Sequence, residues 1–216
     1  MKEAGKRIQI RATVTAENFH RIPDIVTYAA GTLGADTVRI EPVFGNESLI
    51  QNDAAEATAF CEGFLQAKEA VAGRTCEVTI SGSRIETIHG RYCQIFRHVL
   101  QLIPGDGASA CFLTANQAEA ARRGLTFDPG CNHLNDLAAL LRQEDPECEA
   151  CFNRFHCSRG CPDRCPAAGM DDALDHGSFR CRVNRTLAAV QVTKIFADRL
   201  QPLLAVQNIP YVGVMV

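Results

Sequence analysis

The chain has 216 residues, 46% of them hydrophobic and 22% charged, with a formal net charge of −3. This suits one or two domains with a buried core, and the lack of any Lys/Arg-rich run argues against a nucleic-acid partner. No apolar stretch is long enough to span a bilayer. The opening Met-Lys-Glu-Ala-Gly-Lys-Arg leads into no apolar segment, so no signal peptide is expected and the expected location is cytoplasmic.

Residues 8–14 (Ile-Gln-Ile-Arg-Ala-Thr-Val) alternate apolar and polar and predict a strand. Asn18 is a plausible helix cap, and Ile22, Ile25, Val26, Ala29 and Ala30 then recur at helical spacing up to Gly31 and Gly34. Residues 37–42 predict a second strand, stopped by Pro42. Residues 50–72 predict a helix with Ala54, Ala57, Phe60, Cys61, Phe64 and Leu65 on one face. Residues 77–80 predict a third strand, ended by Ser81-Gly82-Ser83-Arg84. Strand–helix alternation implies parallel strands joined by right-handed crossovers. Three strands leave two open edges, which soluble proteins normally cover, so the segment reads as part of a larger sheet.

After Gly90 the pattern changes. Residues 99–103 and 108–114 flank Pro104-Gly105-Asp106-Gly107 and predict a hairpin. Short helices are expected over residues 116–123 and 132–142, and a longer one over 179–204, with Val183, Leu187, Val190, Ile195 and Leu200 as its apolar positions and Pro202 near its end. Residues 211–216 are apolar enough for a short strand.

Eleven cysteines need an account. A disulfide framework is disfavoured, because the expected compartment is reducing and the count is odd. Five fall within the eighteen residues 148–165: Cys148, Cys151, Cys157, Cys161 and Cys165. The first four are spaced C-x2-C-x5-C-x3-C, and Cys181 follows; upstream lie Cys93 and Cys111. This density points to metal ligation, either zinc held by four thiolates or iron–sulfur clusters. Zinc ribbons usually show two close pairs alone, whereas here the spacing is x2/x5/x3 with a long reach back to Cys93, so clusters lead and zinc is the alternative.

The seven-cysteine pattern resembles the SPASM domain of radical S-adenosylmethionine enzymes. Pro104-Gly-Asp-Gly-Ala-Ser-Ala-Cys111-Phe and Cys151-Phe-Asn-Arg-Phe-His-Cys157-Ser-Arg-Gly-Cys161-Pro fit locally. One departure is the glycine before the second cysteine: the family places four residues between them, whereas Gly107 has three and Gly105 five. Upstream, the segments around Arg11, Asp36, Glu41 and Arg84 look like later strands of the radical S-adenosylmethionine partial barrel. The resemblance implies an α/β partial (half) barrel of three βα units over residues 1–90 and a cysteine-rich α+β SPASM-type iron–sulfur domain, with a β-hairpin and a C-terminal helix, over residues 91–216.

The resemblance also implies a ligand set. Cys148, Cys151, Cys157 and Cys181 would hold one [4Fe–4S] cluster, and Cys93, Cys111 and Cys161 a second. The second cluster's fourth site is left to Cys165, Cys131, a histidine such as His89 or His98, or an open iron. Arg11 and Glu41 would line the S-adenosylmethionine cleft; the plainer reading is solvated or paired charge. The implied activity is peptide or protein modification of the sulfatase-maturase kind, an oxidoreductase chemistry with an electron donor and a peptide substrate as partners. The C-x3-C-x2-C loop that cleaves the cofactor is absent from this sequence. S-adenosylmethionine use therefore requires an N-terminal half, and a fragment, a split gene and an accessory subunit remain open. A non-catalytic zinc-stapled or electron-transfer module is the competing reading.

Other candidates have plainer readings. Cys61 and Cys76 are expected in the core, and His156 is expected to bond backbone near the thiols. Gly105-Asp106-Gly107 lacks the Lys-Ser/Thr of a phosphate loop and reads as a turn.

Overall fold

The computed structural model describes residues 5–43, 54–82, 85, 88, 100–103, 107–111, 114, 116–122, 125–126, 146–157 and 179–207. Strands β1 (Gln9–Val14), β2 (Thr37–Pro42) and β3 (Glu77–Thr79) form a parallel sheet in that order. Helix α1 (Ile22–Gly31) and helix α2 (Ala54–Ala70) make the crossovers. Strands β4 (Gln101–Ile103) and β5 (Gly107–Ser109) pair antiparallel, as the hairpin reading expects. Helices α3 (Gln117–Arg122), α4 (Pro146–Glu149) and α5 (Phe179–Gln207) follow.

Asn18 does not cap α1. It lies in a 3-10 turn, Ala16–Arg21, where its Oδ1 accepts the N–H of Thr15 at 2.8 Å. The polar side chain is spent one turn earlier than expected, and α1 starts instead with Pro23 in its first turn, where a missing N–H costs nothing. At the other end Gly34 adopts φ 67°, which lets the chain reverse into β2.

Register decides what each face of the sheet carries. Arg11 pairs with Arg39, and Arg39 with Thr79; Thr13 pairs with Glu41. Paired residues point to one side and alternate along a strand. One face therefore holds Ile10, Ala12, Val14, Val38, Ile40 and Val78, which pack with α1 and α2 in the core. The other face holds Arg11, Thr13, Arg39, Glu41 and Thr79. Parallel sheets are usually buried and apolar on both faces; this one is apolar on one side only.

The core is closed by aromatic rings. Phe19, just after β1, meets Phe60 of α2 edge-on at 5.3 Å and stacks on Phe179 at 6.0 Å. Burying each of these side chains contributes about 1.5–3 kcal/mol. Phe179, Val183 and Leu187 bring the first half of α5 into the same core. Val190, Ile195 and Leu200 do not follow: they are 39%, 40% and 46% exposed. Ala54 is likewise exposed, at the first turn of α2. α5 extends five residues beyond Pro202 to Gln207.

The expected helix over 132–142, the strand over 211–216, the turn residues 104–106, and Arg84, His89, Cys93, His98, Cys131, Cys161 and Cys165 lie outside the described residues. No helix among those described is long and apolar enough to cross a membrane.

Candidate metal centre

Residues 146–157 wind through successive tight turns. The Cys151 N–H bonds the Cys148 carbonyl at 3.3 Å, Arg154 N–H bonds the Cys151 carbonyl at 3.0 Å, and His156 N–H bonds the Asn153 carbonyl at 3.0 Å. The loop thus satisfies much of its backbone locally. Cys148, Cys151 and Cys157 are each half-buried. Phe152 and Phe155 face outward, and the Arg154 guanidinium lies 5.4 Å from the Phe155 ring centre.

Two asparagines fasten this loop to α5. Asn153 is buried, and its Nδ2 donates to the Asn184 carbonyl at 3.2 Å. The Asn184 side chain is also buried, and its Nδ2 donates to Cys157 Sγ at 3.3 Å. Cys181 lies three residues before Asn184, one turn up the same helix face. The structure therefore sets the thiol loop against the helix that carries Cys181. Asn184 Oδ1 lies against Gly82, where any Cβ would overlap it. Gly82 comes just after β3, so this junction sits at the C-terminal end of the sheet, where open α/β sheets place ligands.

Cys111 is anchored separately. Its N–H bonds Ser109 Oγ at 3.0 Å, and its carbonyl accepts Thr114 Oγ1 at 2.7 Å. Ser109 and Thr114 are both fully buried, while the Cys111 thiol is half-buried. Among the described residues, no group of three or more His, Cys, Asp or Glu converges closely enough to hold a metal ion.

Glu41 and Arg11 differ sharply. Arg11 is exposed on β1. Glu41 is 6% exposed, and its Oε1 accepts the Ser81 N–H at 3.1 Å and the Ser81 hydroxyl. Arg39 Nε lies 4.0 Å from the same oxygen. Glu41 thus joins β2 to the segment leaving β3, on the polar face of the sheet.

Cys61 and Cys76 stand apart from the thiol loop. Cys61 is buried, with its sulfur 4.0 Å from the Val183 carbonyl, and burial, helped by the nearby Glu62 carboxylate, pushes its thiol up to about 12. It is a core residue between α2 and α5. Cys76 is half-buried beside β3, its sulfur 3.9 Å from the Glu77 carbonyl. His156 is half-buried in this loop, and the bond to the Asn153 carbonyl comes from its backbone N–H.

The sequence pattern does not single out Asn153, Asn184 or Ser81. The signal for Asn184 is its place beside Val183 on the helix stripe that also carries Leu187: a short amide on a buried face has to find a partner. Comparison with known proteins returns no match: no family model, no curated protein and no solved structure is similar to this chain.

Proposed function

We propose that this chain forms the C-terminal part of a radical S-adenosylmethionine enzyme of the SPASM kind, carrying two auxiliary [4Fe–4S] clusters. Cys148, Cys151, Cys157 and Cys181 hold one; Cys93, Cys111 and Cys161 hold the other, with Cys165 as the nearest fourth ligand. The observation that carries the reading is the junction of loop and helix, where Asn153 and Asn184 bring the Cys148/Cys151/Cys157 loop onto the helix of Cys181.

The donor set suits such a group. Half-buried sulfurs are screened from bulk water yet reachable for assembly, and an amide N–H aimed at one of them favours a thiolate. When bound, these clusters supply one-electron acceptor sites beside the substrate. The chain's own residues do the rest. The turns of 146–157 hold the backbone of the loop that carries three of the thiols, and the buried Ser109 and Thr114 fix the Cys111 backbone. Arg11, Thr13, Arg39 and Glu41 supply a polar face for the cofactor cleft, with the N-terminal cofactor-cleaving half, an electron donor and a peptide substrate as partners.

Anaerobic purification and reconstitution with iron and sulfide test this. About eight irons per chain, with broad visible absorption, support two clusters; about four support one. A colourless protein that keeps zinc through the same treatment turns the reading into a structural metal domain.

A further inference from the structure

We infer that Asn184 is a positioning residue for the metal site, holding the Cys157 sulfur as a hydrogen-bond acceptor and linking it through Gly82 to the end of the sheet. The inference rests on the cluster reading above.

Three observations converge on this side chain. First, its nitrogen and not its oxygen faces Cys157 Sγ, at 3.3 Å. A thiol needs no donor, whereas a metal-bound thiolate is an acceptor, and donors to its sulfur raise the site's reduction potential. Second, Asn184 is 2% exposed and its Oδ1 has no hydrogen-bond partner among the described residues. A buried amide oxygen left so is costly, so the amide is not oriented by what its oxygen gains. Third, that oxygen occupies the space beside Gly82 that any side chain would fill. Gly82 follows Ser81, whose N–H and hydroxyl are held by Glu41. The orientation of the Cys157 donor is thereby tied to the polar face of the sheet through Glu41, Ser81 and Gly82.

Asn184 also sits where the loop is held by its backbone, since its carbonyl accepts Asn153 Nδ2 at 3.2 Å. A substitution of the Asn184 side chain leaves that carbonyl in place, so the loop stays attached while the sulfur loses its donor. This separates a role in positioning the ligand from a role in packing.

The test uses the full chain, reconstituted anaerobically with iron and sulfide, as wild type, Asn184→Ala and Asn184→Asp, with Cys157→Ser as the reference for loss of the ligand itself. Iron is counted, and cluster midpoint potentials are followed by dye-mediated titration with electron paramagnetic resonance. One midpoint is expected to move to lower potential, further for Asp than for Ala, while the other stays. A folded variant that loses the same share of iron as Cys157→Ser supports the inference equally. Asn184→Ala adds no charge, and its midpoints decide the outcome where Asn184→Asp does not fold. Variants with wild-type iron and both midpoints unmoved overturn the inference and leave the cluster reading standing. A wild-type chain that takes up no iron overturns the cluster reading, and this inference with it.

Discussion

Glu41, at the end of β2, accepts both the backbone N–H and the hydroxyl of Ser81, which lies just beyond β3. Two parallel strands separated by a whole crossover helix are thus joined by one carboxylate. That bond also fixes the backbone leading into Gly82, against which Asn184 rests. The polar face of the sheet and the thiol loop are therefore parts of one arrangement.

Glu41→Ala is expected to lower stability by about 2–3 kcal/mol, because it leaves a partly buried N–H and hydroxyl without their acceptor. Glu41→Gln keeps an acceptor oxygen and is expected to cost about 1 kcal/mol. Arg11→Ala, at an exposed position, is expected to stay within about 0.5 kcal/mol of wild type. Urea midpoints at constant slope read all three. Equal losses for Ala and Gln at Glu41 contradict the account.

Gly63 lies inside α2, where alanine would ordinarily add about 1 kcal/mol of helix stability. Here a Cβ would stand 2.5 Å from the Phe19 carbonyl oxygen and 3.3 Å from Ile22 Cδ1. Backbone at that distance cannot swing aside, so overpacking at about 1–3 kcal/mol wins. Gly63→Ala is expected to destabilise; a raised melting temperature would show that the 3-10 turn can shift away from α2.

Cys61 and the loop thiols are expected to differ in reactivity. The Cys61 thiol is pushed up to about 12 by burial and by Glu62, so it stays protonated and covered in the folded chain through pH 8 to 10. Iodoacetamide at pH 8 is expected to modify Cys151 and Cys157 in the metal-free protein and to reach Cys61 only after denaturation. Peptide mass mapping before and after urea reads this, and early labelling of Cys61 counts against its place in the core.

Serine substitutions are expected to divide the iron. Cys157→Ser and Cys181→Ser should each remove about four irons of about eight, and their double mutant no more than either alone. Cys111→Ser should remove the other share, and its combination with Cys181→Ser nearly all. Additive loss from Cys157→Ser and Cys181→Ser would place those two ligands in different clusters.

Phe179→Ala is expected to cost about 3–5 kcal/mol, because Phe179 is the ring through which α5 meets both Phe19 and Phe60. The unfolding midpoint measures it. A cost under about 1 kcal/mol, as for a surface residue, would mean that α5 is not held by this contact.

By itself the sequence determined the elements of the sheet. Alternation in residues 8–14, the Pro42 stop and the apolar spacing of α1 and α2 are local signals, since each strand or helix face shows its own period. The hairpin on either side of residues 104–106 and the start of α5 were legible for the same reason. The cysteine spacing, too, was visible as a pattern of ligands. Only the tertiary structure decided which partners those residues meet. Val190, Ile195 and Leu200 carry the helical period of Val183 and Leu187, yet only Val183 and Leu187 join the core and the other three stay exposed. Arg11 and Glu41 read alike as charged strand residues, but only Glu41 faces the Ser81 that follows β3. Asn184 bonds a sulfur 27 residues earlier. A hydrogen bond across that separation depends on how two segments pack, and no local period in either segment encodes it.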